Sequence, residues 1–449
     1  MAIIKPFRGY LYNREKIENL SLAVAPPYDV ITPEQQTQYY QKHPLNIIRL
    51  ILGKEEPTDN ESNNKYTRAA HYLSTWKEDN TLIRVTNPSL YFYTQDFSLP
   101  GGELRQRKGF ICLFKLEEFR SGVILPHERT LSKPKADRLN LRLACHANFN
   151  PIFSLYADPG FTIEKCIDAV GENPSYFDIT DDNGVRHKLW LVDRSEIIKT
   201  VKEVIKNKTL LIADGHHRYE TALTYQNLMR EKYLGSTEDE AFNYTMMYFT
   251  NMNDVGLVIL PTHRLVKNID FNPAQFFNQA QQYFEIETIP ASPENDHLIR
   301  TTIIATMQKE AKERYLFTLF SSKQNSYFIF RLKDFALLNE VIDRSMSLPL
   351  RTLDANIMEF LVFNHLLGVS CNDPRFEENI KFVHTDEEAI SLVKSGRYEV
   401  AFLVNPTRIE QVKEIVAQGE IMPQKSTYFY PKLLSGLVIN QMDPEESIA

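Results

Sequence analysis

The segment Leu210–Glu220 reads Leu-Leu-Ile-Ala-Asp-Gly-His-His-Arg-Tyr-Glu and concentrates side chains that carry charge or exchange protons. An apolar run ends at Asp214 and a glycine, and three potentially cationic residues, His216–Arg218, open the helix that we predict next. The first N–H groups of a helix sum to a partial positive charge, so three cations there are unfavourable unless an anion lies among them. A phosphate group at the start of the helix removes this conflict, and the motif therefore predicts phosphate binding.

A simpler interpretation stays open for Asp214 alone. Aspartate is a common N-cap residue, and its carboxylate would then accept a hydrogen bond from the backbone N–H of His217. In that case His216 and Arg218 would only be solvated side chains. This alternative explains Asp214 but leaves the basic residues behind it unexplained.

Three further segments place His, Arg, Lys or hydroxyl side chains beside a proline or close to one. They are Leu125–Thr130 (Leu-Pro-His-Glu-Arg-Thr), Leu260–Arg264 (Leu-Pro-Thr-His-Arg) and Lys425–Thr427, with Lys432 nearby. Each segment alone is typical of a solvated turn. Ala25–Val30 (Ala-Pro-Pro-Tyr-Asp-Val) is a rigid turn that either presents its tyrosine and aspartate or is only a turn. Four basic segments in an acidic chain together favour an anion site assembled from distant parts of the sequence.

In such a site the carboxylate of Asp214 would repel the ligand, so we expect it to bind Mg²⁺ or to accept a proton. Glu128 is the predicted base that deprotonates a hydroxyl nucleophile, on the assumption that it converges on the same pocket. The predicted catalytic residues are Asp214, His216, His217 and Glu128, and Asp214 is also the predicted metal ligand. The predicted phosphate- or substrate-binding residues are Gly215, Arg218, His127, Arg129, Thr130, His263, Arg264, Lys425, Ser426, Thr427 and Lys432.

The bulk properties exclude several classes of protein. With 449 residues, 43% apolar and 24% charged, the chain has the composition of a globular protein of roughly three structural units. No apolar run approaches the roughly 20 residues that span a bilayer, and the N-terminus lacks the apolar segment of a signal peptide, so we expect a cytoplasmic protein without a membrane partner. A net charge of −7 argues against DNA binding.

The sequence also lacks the common cofactor motifs. No Gly-x-x-x-x-Gly-Lys-Ser/Thr segment, no Gly-x-Gly-x-x-Gly after a strand and no His-x-x-x-His pair on one helix is present. The four cysteines, Cys112, Cys145, Cys166 and Cys371, have neither zinc-site spacing nor the number of a disulfide framework. We expect them to be reduced and mostly buried.

Helical and strand patterns alternate along the chain, which predicts a mixed α/β fold (α+β mixed). A strand over Thr209–Ala213 and a helix over His216–Tyr233 flank the motif. Ala222, Tyr225 and Met229 lie on one side of that helix, so we expect this side to pack on a sheet and the motif to lie at the exposed tip.

Four regions are predicted from the alternation and from polar boundary segments. They are an N-terminal α/β region (1–105), a catalytic core with the motif (106–268), an α+β insertion or second lobe (269–345), and a C-terminal α/β lobe closing over the site (346–449). The last region contains a predicted helix over Asp354–Leu367.

The strand-Asp-Gly-His-His-Arg-helix segment resembles the signature of the ParB/sulfiredoxin-like superfamily, which includes chromosome-partition CTPases, sulfiredoxins and free serine kinases. The chain as a whole resembles a family of bacterial and archaeal proteins classified as a domain of unknown function. The segments that carry this second resemblance are Ala25–Val30, Leu125–Thr130, Ile212–Ala222, Gly256–Arg264 and Met422–Lys432. They span nearly the whole chain and are specific for that family, but they imply no known reaction.

The superfamily resemblance implies a ParB/sulfiredoxin-like core with additional α/β lobes. It also implies phosphate contacts from Gly215–Arg218 and a metal or catalytic role for Asp214. In the serine kinases an upstream glutamate is the base, and Glu128 takes that role here, although its separation from the motif is longer. The motif has no cysteine for sulfiredoxin chemistry, and the acidic chain shows no helix-turn-helix for DNA partition.

The leading hypothesis is therefore a kinase-like phosphotransferase that acts on a small metabolite, with Mg²⁺ and a nucleotide, ATP or ADP. The resemblance favours serine or phosphoserine as the substrate. A small-molecule phosphatase, in which water replaces the acceptor hydroxyl, and a nucleotide-binding regulatory switch without catalysis are the alternatives. The sequence leaves open the substrate, the direction of transfer and whether the chain forms a homodimer.

Overall fold

A computed structural model describes residues 1–130, 132–268, 271–292, 294–370, 378–443 and 448. It confirms the mixed α/β class. The strands, in chain order, are β1 (Ile4–Lys5), β2 (Tyr10–Tyr12), β3 (Leu82–Arg84), β4 (Leu90–Ser98), β5 (Leu104–Lys115), β6 (Ile124–Leu125), β7 (Ala147–Asn148), β8 (Ile152–Tyr156), β9 (Phe177–Thr180), β10 (Arg186–Val192), β11 (Leu210–Asp214), β12 (Tyr244–Asn251), β13 (Val258–Ile259), β14 (His263–Val266), β15 (Phe284–Pro290), β16 (Leu316–Ser321), β17 (Ser326–Leu332), β18 (Ile380–Val383), β19 (Val400–Leu403), β20 (Phe429–Tyr430) and β21 (Asn440–Gln441).

The helices alternate with these strands along the chain. They are α1 (Pro33–Lys42), α2 (Ile48–Ile51), α3 (Lys65–Glu78), α4 (Ser132–Cys145), α5 (Thr162–Gly171), α6 (Ser195–Lys206), α7 (His216–Lys232), α8 (Pro273–Ala280), α9 (Asp296–Glu310), α10 (Leu348–Arg351), α11 (Asp354–Ile357), a π-helix (Met358–Leu366), α12 (Asp386–Lys394) and α13 (Ile409–Ala417). Residues Tyr28–Val30 form one turn of 3₁₀ helix.

The chain divides into two compact units. Unit 1 comprises Met1–Pro126, Thr130–Val258 and Pro431–Ala449, and unit 2 comprises His127–Arg129 and Ile259–Tyr430. The Asp-Gly-His-His-Arg motif therefore belongs to unit 1, and the preceding Leu125–Thr130 segment is shared between the two units.

Unit 1 is built on a large sheet with the strand order β6-β11-β8-β12-β5-β4-β10-β9, and β1 pairs with β5. Strand β11, which leads into the motif, lies between β6, to which it is parallel, and β8, to which it is antiparallel. Apolar residues of α5, α6 and α7, among them Ile167, Val201 and Ala222, share one core with the sheet residues Phe110 and Phe249. Of the three residues expected to pack on a sheet, Ala222 does so, whereas Tyr225 and Met229 lie in a second cluster with Phe242 and Met442.

Unit 2 contains a sheet with the order β15-β17-β16-β19-β14-β18, in which neighbouring strands are antiparallel. Aromatic side chains such as Phe317, Phe330 and Phe402 fill its core. The predicted helix over Asp354–Leu367 is present, but it changes from α to π geometry after Ile357. Hydrophobic periodicity cannot distinguish these two helix types over so few turns.

Three of the four cysteines lie in the described ranges, and all three are reduced. Cys112 and Cys145 are buried and Cys166 is partly buried, whereas Cys371 lies outside the described residues. Within these ranges, no helix combines the length and the apolar character needed to cross a lipid bilayer.

Candidate functional site

The turn between β11 and α7 presents the motif. Strand β11 ends at Asp214, where its register with β8 shifts, and Gly215 follows with a left-handed φ of +93°. Glycine adopts this conformation without the steric penalty that a Cβ atom brings. Gly215 is the N-cap of α7 and has no side chain with which to accept hydrogen bonds from the first-turn N–H groups. The interpretation of Asp214 as an ordinary N-cap is therefore wrong.

The carboxylate of Asp214 instead holds two cations. Its Oδ1 accepts a hydrogen bond of 2.7 Å from Nζ of Lys432, and its Oδ2 accepts one of 2.8 Å from Nη2 of Arg218. All three side chains are largely removed from solvent, with exposures of 18% for Asp214 and 13% for each cation. The three formal charges sum to +1, so the start of α7 carries an excess of positive charge.

Asp214 is ionised in this arrangement. Burial raises the pKa of its carboxyl group, but the charges of Lys432 and Arg218 outweigh burial, and the pKa lies well below the usual range. His216 adds a smaller effect in the same direction. An ionised, doubly paired carboxylate cannot serve as a general acid, because it carries no proton, and its main effect is to orient the two cations.

Two residues of the large sheet of unit 1 hold the backbone at Lys432. The amide Nε2 of Gln95, on β4, donates a hydrogen bond of 3.0 Å to the carbonyl of Lys432, and Arg107, on β5, donates to the carbonyl of Pro431. Arg107 is fully buried. The position of the Lys432 ammonium group is thus set by the interior of unit 1 rather than by a surface loop alone.

Arg218 is held from two sides. Besides its bond to Asp214, its Nη1 donates a hydrogen bond of 2.6 Å to the carbonyl of Pro151, next to the start of β8. A Cβ atom at Gly215 would lie 2.8 Å from the guanidinium group of Arg218, closer than real Cβ contacts. The turn therefore requires glycine for both its backbone conformation and the space that Arg218 occupies.

We expected the motif to lie at an exposed tip, but the structure encloses it. His216 is buried, with 7% exposure, and His217 and Arg218 are partly buried. The expectation assumed that α7 packs only through its Ala222 side, whereas the first turn of the helix is enclosed as well. Thr130, also in unit 1, donates hydrogen bonds of 2.9 and 3.0 Å to the carboxylate of Glu220 on α7.

A cavity lies beside Arg218 within unit 1. Its lining includes Tyr28 and two arginines of α4, Arg138 and Arg142. The Arg138 guanidinium lies 3.8 Å from the centre of the Tyr28 ring, a close cation–π contact. Burial raises the pKa of the Tyr28 phenol to about 12, and the nearby Asp29 acts in the same direction. The turn Ala25–Val30 thus places its tyrosine beside the motif's arginine.

Sequence reasoning missed the two arginines of α4. We assigned no role to the helix that contains them, although Arg138 and Arg142 share a face with the apolar residues Leu141 and Cys145. Basic residues on the apolar face of an amphipathic helix were the signal that could have identified them.

Asp214 does not fit the predicted role of magnesium ligand. Mg²⁺ prefers octahedral oxygen ligands, usually one or two carboxylates with waters and phosphates. Both oxygens of Asp214 already accept hydrogen bonds from cations, so a metal ion would have to displace Lys432 or Arg218. In the ranges that the structure describes, no three His, Cys, Asp or Glu side chains are grouped so that they could hold a metal.

Unit 2 contains a hydrogen-bonded cluster of several other predicted site residues. Oε1 of Glu128 accepts hydrogen bonds of 3.0 Å from both the backbone N–H and the hydroxyl of Thr427. The Thr427 hydroxyl also lies 2.8 Å from Nε2 of His127. His127 is fully buried and the Glu128 side chain is 17% exposed. Unit 2 therefore brings His127 and Glu128 together with Thr427, as sheltered hydrogen-bond partners.

The remaining predicted residues also belong to unit 2. His263 is buried and accepts a hydrogen bond of 3.2 Å from the backbone N–H of Val404, and burial lowers its pKa to about 3. Arg264 is buried and donates to the carbonyl of Thr262. Arg129 and Lys425 are exposed, whereas Ser426 is buried and donates to the carbonyl of Pro423. Neutral His263 adds no positive charge to an anion site at neutral pH.

Comparisons with known proteins identify a family but no activity. No curated protein matches the chain. Similar solved structures include a free serine kinase variant in complex with ADP, with 13% identity, a TM-score of 0.34 and coverage of 68% of this chain and 84% of that chain. A conserved hypothetical protein from Pyrococcus furiosus has 14% identity, a TM-score of 0.31 and coverage of 69% and 89% of the two chains. SbnI with a C-terminal truncation from Staphylococcus aureus has 10% identity, a TM-score of 0.32 and coverage of 70% and 82%. Similarity at these scores carries no inference about function, and the ParB/sulfiredoxin-like resemblance of the motif stays a prediction. The family model described as "Protein of unknown function (DUF1015)" matches residues 4–356, more than half of the sequence, and the chain belongs to this family.

Proposed function

We propose that unit 1 binds a phosphate group at the start of α7 and that the protein is a phosphotransferase acting between a nucleotide, ATP or ADP, and a small hydroxyl-bearing metabolite. The observation that carries the proposal is the cluster in which ionised Asp214 holds Lys432 and Arg218 beside the glycine-capped start of α7. The three residues come from the motif itself and from a segment more than two hundred residues away.

The charge balance of this cluster favours an anionic ligand. One carboxylate offsets only one of the two cations, and the first turn of the 17-residue α7 adds the partial positive charge of its N–H groups. These charges are largely shielded from water, where their attraction for an anion is stronger than at an exposed surface. Phosphate is the anion that best matches a lysine, an arginine and a helix N-terminus together.

Phosphoryl transfer needs such a site more than it needs covalent chemistry from the protein. The bond between the γ-phosphorus of ATP and the oxygen that bridges to ADP breaks, and a bond from the acceptor hydroxyl oxygen to that phosphorus forms. The hydroxyl proton leaves to a base, for which Glu128 remains the predicted residue. Catalysis depends mainly on holding the phosphate groups and neutralising their charge, which is the role we assign to Lys432 and Arg218.

Serine or phosphoserine is the proposed metabolite, on the strength of the motif's resemblance to the serine kinases. The size of the expected binding effect follows from mass action: a ligand at a hundredfold excess over its dissociation constant adds about 2.7 kcal/mol to the free energy of unfolding. Thermal unfolding with ATP, ADP, AMP, serine and phosphoserine therefore identifies the ligands. Product analysis of each stabilising pair then identifies the reaction.

The proposal predicts that the wild-type protein forms phosphoserine from serine, with ADP as the second product when ATP is the donor and AMP when ADP is the donor, or that it catalyses the reverse reaction. It also predicts that Lys432→Met loses this reaction while Lys42→Met, which breaks an exposed lysine–aspartate pair of the same 2.7 Å length, retains it. Release of inorganic phosphate without an acceptor would show that the protein is a phosphatase rather than a transferase. Stabilisation by nucleotides without any product would replace it by a regulatory switch.

A further inference from the structure

Arg142, on α4, is a buried cation with no acidic partner in the part of the chain that the structure describes. Its exposure is 7%, and Nη1 has no hydrogen-bond partner among the residues that the structure describes. Its Nη2 makes one long hydrogen bond, 3.3 Å, to the hydroxyl of Thr245. The guanidinium also lies 5.6 Å from the centre of the Tyr225 ring. A hydroxyl and an aromatic ring compensate a buried full charge poorly compared with a carboxylate.

Arg138, one helical turn before Arg142, shows what a compensated arginine looks like in the same helix. Its guanidinium forms an ion pair with Asp137 and donates a hydrogen bond of 2.8 Å to the carbonyl of Ile51. Arg218, the third arginine of the cavity, is paired with Asp214. Within the described ranges, Arg142 is the one arginine of these three that contacts no carboxylate.

The three arginines line one cavity within unit 1. The remaining lining combines Asn148, Asn150 and apolar side chains such as Phe149. The space open to water-sized groups is about 50 Å³, which corresponds to about four water molecules. A carboxylate or a single phosphate group fits such a space.

The charge of Arg142 persists at neutral pH. Burial lowers its pKa to about 10, which still leaves the guanidinium protonated. The buried positive charge therefore has no way to neutralise itself, and an anion entering the cavity would supply the missing partner. A planar guanidinium suits an oxyanion in particular, because two parallel N–H groups can donate to two oxygens.

We propose that the cavity lined by Arg142, Arg138 and Arg218 is an oxyanion site that binds the carboxylate or phosphate group of a small acidic metabolite. This cavity is the Arg142 site. Arg218 borders both this site and the Asp214 cluster, so one ligand with two anionic groups can engage both. Only the identification of that ligand as a substrate rests on the proposed function; oxyanion binding by Arg142 does not.

Thermal unfolding in sodium malonate, sodium phosphate and sodium chloride at equal ionic strength tests the proposal. Chloride measures the general effect of salt, malonate supplies carboxylates without phosphorus, and phosphate supplies the other oxyanion. The wild-type melting temperature is expected to rise more in malonate or phosphate than in chloride, and whichever acts identifies the chemistry. An equal effect of all three salts would overturn the proposal.

The variants Arg142→Met and Arg138→Met form a matched pair on one helix face. Without added oxyanion, Arg142→Met is expected to melt at or above the wild-type temperature because it removes an uncompensated charge. Arg138→Met is expected to melt lower, because Asp137 keeps only Lys65 as a cationic partner and the carbonyl of Ile51 loses its donor. Arg142→Met is also expected to lose the oxyanion-specific rise. Retention of a wild-type rise in Arg142→Met would overturn the proposal.

Arg142→Lys covers the case in which the methionine variant does not fold. It keeps the charge but loses the two-pronged geometry, so oxyanion affinity is expected to fall at least tenfold, and an unchanged affinity would contradict the proposal. Lys432→Met separates this site from the Asp214 cluster. If Lys432→Met loses ADP binding but keeps the rise in melting temperature with malonate, both sites exist. If the wild type shows the rise with malonate but never binds ADP, the Arg142 site is supported and the proposed function is not.

Discussion

Nζ of Lys432 lies 2.7 Å from Oδ1 of Asp214, although 218 residues separate them in the sequence. Together with Arg218, which binds the other carboxylate oxygen, this contact converts a motif of local residues into a cluster with net positive charge. Asp214 is therefore the residue that positions two cations at the start of α7.

Replacing Asp214 by asparagine should destabilise unit 1. The change leaves two largely buried cations without their shared carboxylate, and loss of one partner from a buried ion pair costs about 3 kcal/mol or more. Chemical denaturation measures the free energy of unfolding. Asp182→Asn, which breaks the exposed pair with Lys42, is the control and should cost less than about 1 kcal/mol. Equal costs for the two variants would contradict the assignment.

The pairing of Asp214 with Lys432 and Arg218 also predicts how stability changes in acid. The pKa of Asp214 is lowered in the folded state, so its contribution to stability is present above the unfolded pKa of about 3.9 and is lost as pH falls below it. The wild-type free energy of unfolding should therefore fall more steeply than that of Asp214→Asn below pH 4. Parallel profiles in this range would show that the carboxylate is not held by the two cations.

Gly215→Ala should disrupt the turn in two ways. The residue has a left-handed φ of +93°, and an added Cβ would lie 2.8 Å from the Arg218 guanidinium. Gly184→Ala is a matched control, because Gly184 has a φ of +76° and no atom within 4 Å of the added Cβ. The control should lose about 1 kcal/mol from backbone strain alone. Gly215→Ala should lose more and should also weaken ADP binding; equal losses with unchanged binding would argue against a role for the turn.

The turn itself was predictable from the sequence because its signals are local. The change from apolar residues to Asp-Gly and then to a helical pattern indicated the boundary between β11 and α7, and the structure confirms it. The alternation of strands and helices likewise indicated the mixed α/β class.

The partners of the turn were not predictable, because they depend on contacts between distant segments. Lys432 was grouped with Lys425 by proximity in sequence, yet Lys432 belongs to unit 1 and Lys425 to unit 2. The sequence places Arg138 and Arg142 on the apolar face of α4, but it does not show that this face lines a cavity with Arg218. The π geometry after Ile357 leaves no distinct periodicity in so short a segment.

Glu128→Gln tests the predicted base in unit 2. The amide oxygen of glutamine can still accept the two hydrogen bonds from Thr427, so stability should change by less than about 1 kcal/mol while phosphoryl transfer is lost. Glu420→Gln is the control at a second carboxylate of unit 2: Oε1 of Glu420 accepts a hydrogen bond from the backbone N–H of Ser347 and Oε2 accepts one from its hydroxyl, so glutamine keeps one of the two bonds. Its turnover should stay at the wild-type rate. If Glu128→Gln turned over normally, another group would have to take the proton.

Asp354 should make the stability of unit 2 depend on pH near neutrality. Burial raises the pKa of its carboxyl group to about 7, against the opposing charges of Arg408 and Arg264. Since the folded state favours the protonated form, the free energy of unfolding should fall as pH rises from about 4, where the unfolded group ionises, to about 7, by on the order of 1 kcal/mol per pH unit. Asp354→Asn should remove this decrease. A wild-type slope in the variant would assign the dependence to other groups.

The most direct test of the account is a calorimetric titration of ADP into the wild-type protein, Lys432→Met and the control Lys42→Met. If the Asp214 cluster holds phosphate, the wild type and the control bind ADP with equal affinity, and Lys432→Met binds at least tenfold more weakly, a loss of about 1.4 kcal/mol. Equal affinity in all three proteins, or no binding of ADP by the wild type, would contradict the claim that this cluster is a phosphate site.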